Sequence, residues 1–257
     1  MSQANFSPSD AVGGTPMSTP STLTNIFFDP SETFDALRQR PRFLVAALII
    51  VALFFLFFLL FTQKFGAETV ARAQIEAQSP DATPEQREQQ LQMATNPAVR
   101  AISIGAFPVV FAVIFAGGAG LYLLGVTLMG GALRYKQALS VWVYSTFPPF
   151  LLATLGSLIV LFISPPDDSA SIAQAANRMN LVQANLSVLV DGAARPVLAT
   201  ALSAFDLLAF YGLFLAALGL RRVARLSNGS AWAVVLAVYL LGVLVRIGLA
   251  GVFGRVS

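Results

Sequence analysis

Apolar positions along this chain gather into five long runs, with polar stretches between them. About 20 mainly apolar residues cross a hydrocarbon core as one helix. The runs therefore predict spans at about 43–62 ("FLVAALIIVALFFLFFLLFT"), 101–129, 141–163, 197–220 and 231–253. The second is long enough to tilt or to protrude. Residues 1–24 are rich in Ser, Thr, Pro and Gly and read as a disordered tail, which leaves 25–257 as one membrane domain. Between tail and first span lies "IFFDPSETFDALRQRP". Asp29 suits an N-cap, Pro30 the first helical position, and Glu32 a capping box. Phe34 and Leu37 share a face, and Pro41 ends the segment. This predicts a short amphipathic helix lying on the membrane surface, with Arg38, Arg40 and Arg42 at the headgroups.

Two longer polar loops remain, at 63–100 and 164–196. In the first, Thr83, Pro84 and Gln86 predict a capped helix. In the second, "SIAQAANRMNLVQANLSVLV" is weakly amphipathic and reads as helical. Asn185-Leu186-Ser187 and Asn228-Gly229-Ser230 match the glycosylation sequon by chance. The first apolar run begins only at Phe43, so it reads as an uncleaved anchor and not as a signal peptide.

Composition fixes the class. Of 257 residues, 56% are hydrophobic and 11% charged, and the mean hydropathy is +0.72. A soluble domain carries about 25% charged residues. The expectation is an all-α polytopic membrane bundle of five helices. The chain has no Cys and no His. That removes thiolate chemistry, HExxH zinc sites, Ser-His catalysis and histidine proton relays. The net charge of +3 is small and does not suggest nucleic acid. The abundance of Arg and Ala is taken as the mark of a GC-rich bacterial genome, which would place the chain in an inner (plasma) membrane.

Charge also sets the orientation. With the N-terminus in the cytoplasm, the inner flanks carry Arg38, Arg40 and Arg42, then Arg134 and Lys136, then Arg221, Arg222 and Arg225. The two short connectors hold no acid, while the opposite loops hold Glu68, Glu76, Glu85, Glu88 and Asp167, among others. This is the basic-inside pattern, and it puts the C-terminus outside. Trp142 and Trp232 fall at the same inner boundary.

Against that background, Asp206 stands out in "ALSAFDLLAFYGLFLAALGL". A carboxylate at mid-bilayer costs roughly 2.5–3.5 kcal/mol. Arg246 in the fifth span is the available counter-charge: the two depths agree within roughly 3–5 Å at helical rise. Ala199, Ser203 and Asp206 share one stripe. Tyr239, Gly242, Arg246 and Ala250 share another. Asp206 and Arg246 are thus a candidate intramembrane polar pair, read first as a clasp fixing helix register and second as part of a transport or ligand site. If Arg246 snorkels outward, Asp206 is left to water, Tyr211 or another helix.

Two further features stand out in the spans. Pro148-Pro149 removes two amide donors, so a helix break or bend is expected there, with Ser145 and Thr146 at hand for the freed carbonyls. Ala112, Ala116 and Gly120 form a small-xxx-small stripe, read as close helix packing, with a hinge or dimer contact as the alternative. Pro108 is expected to kink the second span. No catalytic constellation, cofactor motif or metal cluster stands in the sequence.

Three stretches carry a family resemblance: "IFFDPSETFDALRQRPRFL", "GGALRYKQALSVWVYSTFPPFLL" and "FDLLAFYGLFLAALGLRRV". In their order and spacing, from about Asn25 to Gly254, the chain resembles the Yip-type family, the Ypt/Rab-interacting membrane proteins. The resemblance implies a five-helix bundle with a cytoplasmic N-terminus, as the charges do. It marks Pro30, Pro148 and Asp206 as signature positions without a known chemistry. Eukaryotic members act in vesicle trafficking with Rab GTPases; a bacterial relative has no Rab system. The expectation is a non-enzymatic membrane scaffold without cofactor, meeting lipid and either membrane-protein partners or copies of itself. The alternative is a small transporter or channel-like protein with its site at Asp206 and Arg246.

Overall fold

The computed structural model describes residues 17–79, 82–165, 172, 181–182, 184–190 and 195–253. In chain order, their helices are α1 (Thr19–Phe28), α2 (Pro30–Gln39), α3 (Leu44–Phe65), α4 (Ala67–Gln78), α5 (Pro84–Thr95), α6 (Pro97–Leu128), α7 (Tyr135–Ile163), α8 (Pro196–Ser203), α9 (Leu207–Val223) and α10 (Asn228–Phe253). A 3-10 turn covers Leu186–Leu189. Among the described residues, α3, α6, α7 and α10 are long and apolar enough to cross a membrane.

The first, second, third and fifth apolar runs thus fold as expected, each extended by a few residues. The capping box of Thr83 and Gln86 is present and starts α5. Most of the helix read between 171 and 190 lies outside the described residues.

α7 is the axial helix. It touches α1, α2, α3, α6 and α9, and its contact with α9 is the broadest in the molecule. The two run antiparallel: Gly219 of α9 faces Val141 near the start of α7, and Gly212 faces Ser145 and Pro149 further along. At the other end of α7, the Lys64 ammonium of α3 donates to the carbonyls of Leu161 and, at 2.5 Å, Ser164. A cation there satisfies carbonyls that the helix leaves unpaired and sits at the negative end of its dipole. It also fixes α3 parallel to α7. Phe54 and Phe58 of α3 meet Phe107 and Phe111 of α6 edge to face.

The N-terminal segment departs from expectation. Residues 1–16 lie outside the described residues, but 19–28 form α1, with the Ser18 hydroxyl accepting from Ser21 N–H as its cap. The amphipathic α2 forms as expected, but its apolar face is not left for lipid. Its apolar face is covered by protein: Phe34 is fully buried, Leu37 nearly so, and α2 packs against α7 and α9. The reason lies at Gly219. A Cβ there would come within 2.9 Å of the Phe34 ring and 2.8 Å of Val141. The missing side chain makes the notch that the ring fills. α1 follows it in: Ile26 is fully buried, Phe27 meets Phe147 edge to face, and Thr22 and Tyr144 share a buried hydroxyl–hydroxyl bond of 3.0 Å. The bundle therefore has an α2 end and, opposite it, a Lys64 end.

Candidate functional site

The fourth apolar run is not one helix. α8 stops at Ser203, residues 204–206 are not helical, and α9 starts at Leu207. Asp206 is extended (φ −107°, ψ 127°) and is the N-cap of α9. Its Oδ1 accepts from Ala209 N–H at 2.9 Å. Its Oδ2 accepts from the Asn185 amide at 3.3 Å. The backbone beside it is paired too: Leu207 N–H donates to the Ala184 carbonyl at 3.0 Å, and Asn185 and Asp206 form an isolated antiparallel bridge. Non-helical backbone is tolerated within a bundle where protein partners meet its polar groups. The segment 184–190 supplies them.

This arrangement accounts for the carboxylate. An ionised N-cap satisfies amides that the helix leaves over and sits at the positive end of the helix dipole. The 17 residues of α9 rise about 25 Å, so Asp206 stands far from the α2 end of the bundle.

Asp206 and Arg246 do not form the expected ion pair. Ion pairs among the described residues include Arg72–Glu68, Arg72–Glu88 and Arg222–Asp35, and none joins Asp206 to Arg246. Arg246 is exposed on α10, and its side chain interacts with the Tyr239 hydroxyl. Tyr239 in turn donates to the Ala204 carbonyl at the break. Tyr239 thus stands between the two charges and ties α10 to the turn before α9. The carboxylate has its partners without the guanidinium, so the physical need for a salt bridge is gone.

The proline pair does not break its helix. α7 runs continuously through Pro148 and Pro149. Ser145 and Thr146 do not serve the freed carbonyls; their hydroxyls donate to Trp142 O at 3.0 and 2.9 Å. The Ser145 carbonyl, which lost its donor to Pro149, instead faces Gly212, where a Cβ would stand 3.4 Å from it. The close approach of α9 there covers the gap.

The stripe of Ala112, Ala116 and Gly120 does not pack inside the chain. Ala112 and Ala116 are exposed, and nothing lies within 4 Å of a Cβ placed on Gly120. The neighbouring stripe packs instead: Phe115, Gly118, Ala119, Tyr122 and Val126 are buried. Gly118 is the seat of the Trp142 indole, whose ring would lie 2.1 Å from an added Cβ. Small residues also sit against lipid at little cost, so composition alone did not select the face.

At the α2 end the structure brings together residues that sequence reasoning kept apart. Arg222 pairs with Asp35 at 3.2 Å. Gln137 donates to the Arg38 carbonyl at 2.8 Å. Arg42 reaches back to Met17 O and the Thr19 hydroxyl at 3.3 and 3.2 Å. Sequence reasoning missed Asn185 and the Asp35–Arg222 tie. Neither had a distinct signal: Asn185 stands among other amides in a polar loop, and the partners of the tie lie far apart in the chain.

These features define an all-helical integral membrane protein built on α7 and α9, with its N-terminal helices folded into one end. The Yip1 domain model matches residues 24–249, from within α1 to within α10, and the chain belongs to that family. No curated protein and no solved structure matches the chain.

Proposed function

We propose that the protein is a non-enzymatic membrane scaffold in the plasma membrane of a bacterium, with its N-terminus in the cytoplasm, its C-terminus outside, and the α2 end as the surface that meets other molecules. One observation carries this reading. Every basic residue of the two short connectors and of the segment joining α2 to α3 collects at the end where α1 and α2 dock. Basic flanks stay in the cytoplasm, and a rigid folded platform there suits a protein partner better than a loose surface helix does.

The native chain lacks cysteine, which makes the test direct. A membrane-impermeant maleimide applied to intact spheroplasts should label Ala94→Cys on α5 at once. It should label Ser227→Cys, in the α9–α10 connector, only after permeabilisation. The reverse pattern would overturn the orientation. A photo-crosslinker at position 227 should then yield discrete protein adducts in living cells, and a clean lane there would remove the scaffold reading.

A second reading has its own observation, the broken fourth span with half-buried Asp206 at its turn. Polar groups at a helix break inside a bundle are a common site for ions and small ligands. For a small transporter or channel-like protein, Ser203→Cys would react with an aqueous thiol reagent. For a packed scaffold Ser203→Cys stays protected.

A further inference from the structure

The connector after α9 contains a backbone anomaly. Arg225 has φ 56°, the one non-glycine residue with positive φ among the described residues. It follows Ala224, the C-cap of α9. That position favours glycine or asparagine, because a Cβ in the left-handed region crowds the backbone. An arginine there is less stable than the glycine that would fit. The fold does not use its side chain as packing, for Arg225 is exposed.

The next residue explains how the turn is held. Leu226 is buried, and its Cδ2 would stand 2.7 Å from a Cβ on Gly131. Gly131 belongs to the connector between α6 and α7, whose own turn uses Gly130 at φ 74°. Leu226 therefore presses the two acid-free connectors together. Arg134, Lys136, Arg221 and Arg225 are all exposed there. Of the two acids on α2, Asp35 is already engaged by Arg222 and Glu32 stands in the first turn, where it is exposed. Beside these cations Leu128 and Met129 are exposed by 73% and 48%. Cations bordered by apolar side chains match a phospholipid, with phosphate on the one and acyl chain on the other.

We propose that the joined connectors form a binding surface for anionic phospholipid headgroups, and that Arg225 is kept at a strained position for that contact. The inference rests on the orientation in that reading, with the basic end at the inner leaflet, and not on a protein partner. It is tested in vesicles without any protein partner, so a failed cross-link would leave it standing, and its own failure would leave the orientation standing.

The two tryptophans are the native reporters, and Trp232 lies at the start of α10, next to the connector. The full chain is reconstituted into phosphatidylcholine vesicles containing phosphatidylglycerol, with one or the other lipid brominated to quench tryptophan. The parent should prefer the anionic lipid. Arg225→Gly should reduce that preference about fivefold, the contribution of one charge near a headgroup surface. The same substitution should raise the unfolding temperature in detergent by about 2–4 °C, by relieving the turn. Arg225→Lys should keep the lipid preference. Stability gained with lipid preference intact would overturn the proposal, and so would lost stability in Arg225→Gly. Millimolar inorganic phosphate should leave the quenching unchanged. If it abolishes the preference, the surface binds free phosphate and the lipid assignment falls.

Discussion

A carboxylate in an apolar stretch is tolerated when its charge meets either a counter-ion or donors that the backbone has left over. Asp206 uses the second route, through Ala209 N–H and the Asn185 amide. The two routes differ in magnitude. Removing one partner of a buried ion pair costs about 3–5 kcal/mol, whereas replacing an N-cap aspartate by alanine costs about 0.5–2 kcal/mol. Asp206→Ala should fall in the lower range, and Asp206→Asn should stay close to the parent. Arg246→Ala should add to Asp206→Ala within about 0.5 kcal/mol, as uncoupled sites do. Thermal unfolding of the parent and these four variants in detergent measures this, and a coupling well above 1 kcal/mol would restore the salt bridge. The cap was legible in principle, since an aspartate before an apolar run is a helix-start signal. It was outweighed by length: residues 201–220 are apolar on both sides of the break, and such side chains suit a buried turn as well as a helix interior.

At the scale of elements, α2 illustrates what periodicity can and cannot say. Asp29, Pro30 and the Phe34–Leu37 face were sufficient to place the helix, and Asp29 does accept from Glu32 N–H at 2.9 Å. Which surface covers an apolar face is a tertiary fact, set by the notch at Gly219 on α9. Gly219→Ala should therefore destabilise the bundle by about 1–3 kcal/mol, the range of overpacking. Phe34→Leu added to it should recover part of the loss, whereas Phe34→Leu alone should be destabilising. α1 was hidden by its composition, since Ser, Thr and Pro serve caps and tails alike. Its docking hangs on Thr22 and Tyr144, 2% and 1% exposed. Thr22→Val should cost about 1–3 kcal/mol by stranding a buried hydroxyl, while the double change with Tyr144→Phe should be nearly neutral. Denaturant melts of the two variants decide this, and an equal loss in the double variant would place α1's stability elsewhere. The helix through Pro148 and Pro149 was illegible for a related reason: the cover for the Ser145 carbonyl comes from Gly212 on another element.

For the whole molecule, the absence of histidine and cysteine predicts stability that barely changes between pH 6 and 8. The acid limb starts lower. On α5, at the Lys64 end, Glu85 is held below its ordinary value of 4.5 by its own backbone N–H and then by the Thr83 hydroxyl. A lowered acid stabilises the fold above its unfolded value, and that contribution is lost as pH falls through the folded one. Helix content followed by circular dichroism should hold until below pH 4.5 and then decline, starting in α5. A transition near pH 6.5 would contradict this. The order of synthesis gives the α2 notch a last consequence. α1 and α2 leave the ribosome first, yet the surface they fill belongs to α7 and α9. At about 5–20 residues per second, Gly219 follows Phe34 by roughly 10–40 s. For that interval Phe34 lacks the notch it fills, and the adjacent bilayer surface is the expected shelter for the apolar face of α2. A photo-crosslinker at position 34 in ribosome-bound chains that end before Gly219 should therefore reach lipid, and the lipid adduct should vanish once α9 has been made.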